Sequence, residues 1–277
     1  MDGILLINKE ENMTSHDVVN RLRKILHMKK IGHSGTLDPN ATGVLLVMLG
    51  TATKVLPFLE DTDKEYVAEM VLGKRTLSDD VWGEVLEEKA VCKITDFQSV
   101  LNEFKGEIEQ VPPMISSVRV NGRKLYEYAR ANEEVERPKR KVTIYDIEAL
   151  DEEKLQFRVS CSSGTYVRSL CHDIAEKTGN LGCMSSLVRT KVGRFSIDDC
   201  VTLEDVANGE VPLHSVTEIL SHYPKVNYEP LADIYNGKHV RIDCEQDDIL
   251  IMNPDQEAVA IYQRDHDDVF RSIRGLW

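Results

Sequence analysis

An α+β fold built on a mixed or antiparallel sheet is what this sequence predicts, and three observations point there. Strand-like and helix-like segments alternate irregularly, without the regular beat of a parallel, doubly wound sheet. Asn121-Gly122 is a strong two-residue hairpin signal. Residues 226–277 break into short alternating stretches with turn signals at Asn236-Gly237 and Asn253-Pro254-Asp255, which predicts a small all-β appendage. A chain of 277 residues has room for a large domain and a small one. The texture changes at about Tyr223-Pro224, so the expected division is a main domain over 1–222 and a β-rich one over 223–277.

From the N-terminus, Gly3-Ile4-Leu5-Leu6-Ile7 reads as a buried strand, and Lys9 to Met13 as the loop after it. Thr14-Ser15-His16-Asp17 has the form of a capping box, with Asp where Glu is usual. Val18, Val19, Leu22, Ile25 and Leu26 then fall on one helical face, with Arg21 and Lys24 off it. Val44 to Leu49 is an apolar run that suits either a buried strand or the start of a core helix. Tyr66 to Leu72 reads as a strand ended by Gly73. The run Val111 to Val120 leads into the Asn121-Gly122 turn, and Leu125 to Arg130 looks helical. Leu155, Phe157, Val159 and Cys161 alternate with polar residues, as in a half-buried strand. Ser162-Ser163-Gly164-Thr165 then turns the chain into a helix with Val167, Leu170 and Ile174 inward.

Composition narrows the class. Hydrophobic residues make up 42% of the chain, enough for a core, yet no apolar run approaches the ~20 residues that span a membrane. Met1-Asp2-Gly3 lacks the basic region of a signal peptide. The six cysteines contain no C-x-x-C pair, so neither zinc nor a disulfide framework is implied, and a reduced, cytoplasmic protein is expected. The net charge of −13 alone argues against nucleic acid. Its distribution softens that argument. Val18 to Leu37 holds five basic residues and no acid, Arg119 to Lys141 eight against four, and Arg158 to Arg194 six against two. The acid gathers at Glu60–Glu65, at Asp79–Glu88 and in the tail. Phosphate binding follows the local field, so basic stripes on an acidic protein can still hold RNA.

Phosphate-binding and hydrolase motifs are missing: there is no G-x-x-x-x-G-K-[ST], no G-x-G-x-x-G after a strand and no G-x-S-x-G. His16, His27 and His33 lack metal-ligand spacing, and Asp79-Asp80 reads as a solvated loop before it reads as a metal pair. What stands out is Gly32 to Gly43, G-H-S-G-T-L-D-P-N-A-T-G. Its glycines and proline make a stiff, turn-rich loop with one central carboxylate, Asp38. From the residues alone, Asp38 is either a held catalytic acid or a turn-forming Asp-Pro.

Taken whole, this loop resembles the catalytic motif of the bacterial tRNA pseudouridine-55 synthases of the TruB family, roughly G-H-T-G-x-L-D-P-x-A-T-G. The match runs through Gly32, His33, Gly35, Leu37, Asp38, Pro39, Ala41, Thr42 and Gly43, with Ser34 for Thr. Further segments resemble family blocks in the same order. They are Gly3 to Lys9, Gly50-Thr51-Ala52-Thr53-Lys54, Lys64-Glu65-Tyr66, Pro112 to Arg130, Ser163 to Arg168 and Leu187-Val188-Arg189-Thr190. The tail is similar to a PUA-type RNA-binding module around Asn236-Gly237 and Arg274-Gly275-Leu276. Three places depart from the pattern. Glu10-Glu11-Asn12 replaces P-x-G after the lysine, Ile115 replaces a tyrosine, and Trp82 stands in the T-x-T-x-D-x-D-G block where an acid is usual.

The resemblance implies a pseudouridine-synthase fold, with a central mixed, mainly antiparallel sheet flanked by helices and a PUA-like C-terminal domain. It implies isomerisation of uridine 55 in the T-loop of tRNA to pseudouridine, on a flipped-out base. No cofactor and no metal are required, because no group leaves the site. Asp38 is the implied catalytic carboxylate. Arg168 is its cationic partner, since a guanidinium favours and orients an ionised carboxylate. Tyr66 stacks on the uracil, Tyr166 and Leu187 line the pocket, and His33 fills space near the vacated base. Lys9, with Arg21, Lys29 and Lys30, is a candidate phosphate contact. The implied partner is the tRNA T-stem-loop, met by a monomer without an obligate protein partner. The alternative is a tRNA-binding or tRNA-folding module whose main role is not catalytic, and a third reading is a guide-dependent relative.

Overall fold

The computed structural model describes residues 1–59 and 62–277, so Glu60 and Asp61 of the acidic run lie outside the described residues. Residues 1–39, 43–59 and 195–277 form one compact unit, and 40–42 with 62–194 form another. Helices and mainly antiparallel strands alternate irregularly in both, which is the α+β class expected.

The first unit opens with β1 (Gly3–Lys9), α1 (Ser15–Ile25), β2 (Ile31–Ser34) and β3 (Thr42–Leu49). β3 lies antiparallel to β1 on one side, Lys9 opposite Gly43, and to β2 on the other, His33 opposite Val47. That pairing places His33 in a strand and shortens the loop to Gly35–Ala41. The Val44–Leu49 run is therefore strand, not helix. Leu5, Ile7, Leu45, Val47 and Leu49 form one core with Val18, Val19 and Leu22 of α1. The alternate residues Ile4, Leu6, Val44, Leu46 and Met48 are buried as well, so these strands are covered on both faces. α1 starts with the expected capping box: Asp17 N–H donates to Thr14 Oγ1 at 3.1 Å, and Thr14 N–H donates to the Asp17 carboxylate at 2.9 Å.

The second unit runs through β4 (Lys64–Leu72), β5 (Lys74–Thr76), β6 (Val85–Glu88), α2 (Phe97–Asn102), β7 (Gly106–Gln110), β8 (Arg119–Val120), β9 (Arg123–Lys124), α3 (Leu125–Arg130), β10 (Arg140–Asp151), β11 (Gln156–Cys161), α4 (Val167–Lys177) and β12 (Gly182–Val192). Its sheet has the order β12-β4-β11-β10-β7, every neighbour antiparallel. The Asn121-Gly122 hairpin forms as expected, with positive φ of 50° and 82° at its two turn residues. Of the preceding run only Arg119–Val120 is strand, since Pro112 and Pro113 have no N–H to give a ladder. Leu155 sits in a left-handed turn at φ 51°, outside β11, while Phe157, Val159 and Cys161 point inward as expected. α4 buries Val167, Leu170 and Ile174, and also Arg168, Ser169, Cys171 and Ala175.

The chain then returns to the first unit through β13 (Phe195–Ser196), α5 (Leu203–Ala207), β14 (Leu213–His214), α6 (Val216–Ile219), β15 (Lys225–Asn227), α7 (Leu231–Tyr235), β16 (Val240–Arg241), β17 (Asp248–Met252), β18 (Ala258–His266) and β19 (Val269–Gly275). β14 pairs antiparallel with β1. The last five strands make a separate sheet in the order β15-β17-β18-β19-β16, with β15 and β17 parallel. One face of it packs Ile249, Ile251, Tyr262 and Phe270 against Ile234 of α7. The other packs Leu250, Met252, Ile261 and Leu276 against Val55 and Leu220.

Phe157 is fully buried and meets Phe97 edge to face at 6.2 Å between ring centroids. Phe157→Ala removes that contact and leaves a cavity, and is expected to lower unfolding free energy by about 3–5 kcal/mol, measured by urea denaturation.

Candidate functional site

Lys9, His33 and Asp38 belong to the first unit; Tyr66, Tyr166, Arg168 and Leu187 belong to the second. In the first unit the Asp38 loop is held from both sides. Ser15, the first residue of α1, is buried, and its hydroxyl accepts from Leu37 N–H at 2.9 Å and lies 3.3 Å from Leu37 O as a donor. Lys9 is fully buried, and its ammonium donates to Glu10 O at 2.8 Å, Met13 O at 2.8 Å and Pro39 O at 3.0 Å. Asp38 is thus half-buried between two pinned neighbours, with Leu37 and Ala41 turned into the core. Gly35, at φ 70°, supplies the left-handed residue that starts the loop. The Lys9 ammonium thus bonds to three carbonyls that belong to or adjoin the loop.

In the second unit, Tyr66 on β4 lies opposite Val159 of β11 and Arg189 of β12, and Leu187 lies opposite Ala68. Directly opposed residues share a face, and so do residues two apart, so Tyr66 and Leu187 are diagonal neighbours on one side of the sheet. Both are 8% exposed. Tyr166 immediately precedes α4 and is half-buried. The side-chain amide of buried Gln110 clamps its backbone, accepting from Tyr166 N–H at 3.0 Å and donating to Tyr166 O at 3.2 Å. Ser169 donates to Val111 O at 2.8 Å, which ties the same end of α4 to the chain leaving β7.

Arg168 is 5% exposed. Its guanidinium donates to Ser78 O at 2.8 Å and Ile115 O at 3.1 Å, and lies 3.7 Å from the Asp80 carboxylate. The expected solvated loop at Asp79-Asp80 is corrected here: Asp80 is buried, because it closes the turn that receives Arg168. Its carboxylate accepts from Ser78 Oγ at 2.6 Å and Trp82 N–H at 3.1 Å, and its carbonyl accepts from Thr76 Oγ1 at 2.6 Å. Val81 N–H and Met184 N–H bond across to Met184 O and Asp79 O, fastening the turn to β12. Gly83 is required in this turn, since a Cβ there would lie 2.1 Å from Ser78 Oγ. Trp82 itself is 47% exposed. Sequence reasoning missed Asp80 as a partner of Arg168; the signal available was its place in the Thr76–Gly83 block.

Among the described residues, His172, Asp173 and Glu176 on α4 have ligand atoms within 4.8 Å of one another. His172 Nδ1 is 3.2 Å from the Asp173 carboxylate, and this contact first, then Asp79, Asp173 and Glu176 as charges, raises its pKa against burial.

The model of the TruB family pseudouridylate synthase N-terminal domain matches residues 23–167, and that of the tRNA pseudouridylate synthase B C-terminal domain matches 168–218. The tRNA pseudouridine synthase B of Geobacillus thermodenitrificans is 44% identical over 285 residues, spanning 95% of this chain and 94% of the relative. That of Bacillus cereus is 45% identical over 284 residues, spanning 95% and 92%. Among solved structures, a chain of a Cbf5-Nop10-Gar1 complex has the same fold, with a TM-score of 0.73 at 28% identity over 99% of this chain and 85% of that one. A chain of an H/ACA RNP bound to a substrate RNA containing 2'-deoxyuridine gives 0.71 at 26%, with the same coverage.

Asp79 carries a testable cost. Burial raises its pKa, more than His172, Arg137 and Arg168 lower it. A carboxyl whose folded pKa is raised favours folding only while protonated, and that contribution is lost as pH rises through the folded value. Asp79 also holds φ at 60°, which Asn tolerates. Asp79→Asn is therefore expected to raise the thermal midpoint at neutral pH. The gain should vanish as pH falls below about 4, where an unfolded Asp is itself protonated; thermal melts across pH measure it.

Proposed function

The chain belongs to the TruB family of pseudouridylate synthases, and on that premise we propose that it isomerises uridine 55 in the T-loop of tRNA without a guide RNA. The observation that carries the reading is the pinned Asp38 loop, together with identity of 44–45% to tRNA pseudouridine synthases B over nearly the whole chain. Identity to the chains of the Cbf5 and H/ACA assemblies is 26–28%, which favours the free-standing reading over a guide-dependent one.

In this reading Asp38 supplies the carboxylate that opens the bond between ribose C1′ and uracil N1. The base turns, C5 bonds to C1′, C5 gives up its proton and N1 ends with one, so no atom is gained or lost overall. Arg168 acts as the matched cation; its own fixing by Ser78, Ile115 and Asp80 gives it one orientation before substrate arrives. Tyr66 offers the flipped uracil an aromatic face, Leu187 beside it excludes water, and Tyr166 and His33 line the nucleotide. Lys9 is assigned to positioning Asp38 through Pro39 O rather than to phosphate.

We also assign RNA binding to residues 223–277, as a PUA-like domain. Its eleven acids and five basic residues between 226 and 277 repel RNA on average, so binding needs a local basic patch. Arg274 supports one. Desolvation first, then the charges of Lys30 and Arg274, lower the pKa of Lys54, whose ammonium donates to Trp277 O at 2.6 Å. Lys54 thus feels the charges of Lys30 and Arg274 within the first unit.

The decisive measurement is incubation with an unmodified tRNA transcript and mapping of pseudouridine. Asp38→Asn, nearly isosteric, should bind the transcript with wild-type affinity and form no pseudouridine; comparable turnover would remove Asp38 from its role. Arg274→Gln should weaken tRNA binding and reduce the slope of log Kd against log salt by about 1, as loss of one phosphate contact requires. An unchanged slope would take the C-terminal domain off the RNA.

A further inference from the structure

Two exposed apolar residues border Arg168, and they arrive on different segments. The guanidinium donates to Ile115 O at 3.1 Å, and Ile115 is 37% exposed. It also lies 3.7 Å from the Asp80 carboxylate, which accepts from Trp82 N–H at 3.1 Å, and Trp82 is 47% exposed. We propose that the Trp82 indole stacks on the tRNA base next to the flipped uridine, as a further substrate-binding residue of this chain; the inference rests on the uridine reading above.

The chain has two tryptophans, both about half-exposed. Trp277 is engaged: Tyr235 meets it edge to face at 5.1 Å between ring centroids, and the Lys54 ammonium lies 5.8 Å from its ring. Trp82 is not. Among the described residues no other ring or cation lies against its indole, and the indole N–H has no acceptor. Its apolar face is left in water, and a stacked base would cover it. The residue type also fits. The family pattern has an acid at position 82 and a tyrosine at 115, whereas this chain has Trp82 and Ile115. An acid repels a polyanion, while an indole attracts the face of any base. This chain thus carries its aromatic group on the other segment beside Arg168.

Trp82 is presented on a fixed support. Leu77 N–H bonds to Glu84 O at 2.9 Å, Val81 N–H to Met184 O at 2.9 Å and Gly83 N–H to Asp80 O at 3.3 Å, so the backbone on both sides of it is held. A group held in this way loses little freedom when a ligand meets it. The reaction supplies the partner. Turning a uridine out of the T-loop strips a stacked face from each of its neighbours. Such a face lies one nucleotide from the uracil, and Trp82 is joined through one carboxylate to the guanidinium that serves the site.

The test is a binding cycle with a T-stem-loop RNA in which the base 5′ or 3′ of the target uridine is removed, leaving an abasic nucleotide. On intact RNA, Trp82→Ala should raise Kd about tenfold. The slope of log Kd against log salt should stay as in wild type, since no phosphate contact is lost. Trp82→Phe should recover most of the affinity. With the base missing at one of the two neighbours, Trp82→Ala should cost nothing more, because its partner is already gone. Val85→Ser/Leu86→Ser removes exposed apolar surface from the same hairpin and should bind as wild type. Wild-type affinity of Trp82→Ala overturns the proposal. So does the same loss on the intact and both abasic RNAs, or an equal loss in the Val85/Leu86 variant. Thermal melts of each variant exclude misfolding as the cause of a change. Wild-type protein that binds the RNA but forms no pseudouridine sinks the enzymatic reading, and the cycle, read in binding alone, still decides on the stacking. Wild-type protein that does not bind tRNA overturns both.

Discussion

Two cations taken out of water hold the working parts of this protein in place. Lys9 and Arg168 are both buried, and a buried charge is tolerable only when its donors are met. Here the acceptors are mainly backbone carbonyls: Glu10, Met13 and Pro39 for Lys9, Ser78 and Ile115 for Arg168. A carbonyl cannot move without its chain, so each cation fixes several loops at once. The Asp38 loop is joined to the end of β1 and to the start of α1. The turn at residues 78–82 and the segment at Ile115, far apart in sequence, converge on the first turn of α4. Removing either cation would leave those carbonyls without their donor and release segments that have little other regular structure.

The same logic gives the Thr76–Gly83 turn its composition. Thr76, Ser78 and Asp80 are small polar residues that bond to each other and to backbone, and Gly83 is where no Cβ fits. With its polar groups paired inside, the turn can be buried next to a guanidinium. The departure at Trp82 leaves this arrangement intact, because only its N–H takes part and its ring stays largely outside.

How far the fold was legible depended on whether its strands kept a regular period. β4 and β11 alternate cleanly, and both were readable. β3 is buried on both faces, so its continuous apolar run could not be told from a helix by pattern alone. β10 and β12 went unread. Each contains register shifts, between Ile144 and Asp146 in one and between Met184 and Ser186 in the other, and a bulge moves later side chains to the opposite face. The fully buried Arg189 further hides β12, since a buried cation in a strand reads as surface. At the site, the Asp38 loop was legible because its turn chemistry is local. Asp80 was not, because two acids in sequence read as solvated until the Arg168 that faces them is brought in from α4.

The charge of the protein follows from where its cations are spent. The buried Lys9 and Arg168 are spent on fixing backbone carbonyls. Many exposed ones are neutralised by partners, as in Lys141 with Glu107, Lys139 with Glu109 and Arg158 with Glu148. On an acidic chain, attraction of a polyanion is strongest where acids are missing from a stretch altogether. The sequence between Val18 and Leu37 is such a place, and it leads from the basic side of α1 into the loop that carries Asp38. Repulsion from the acidic remainder then works in favour of selectivity, because an RNA held by a few local contacts must present its phosphates in the matching arrangement, whereas a uniformly basic surface would accept any.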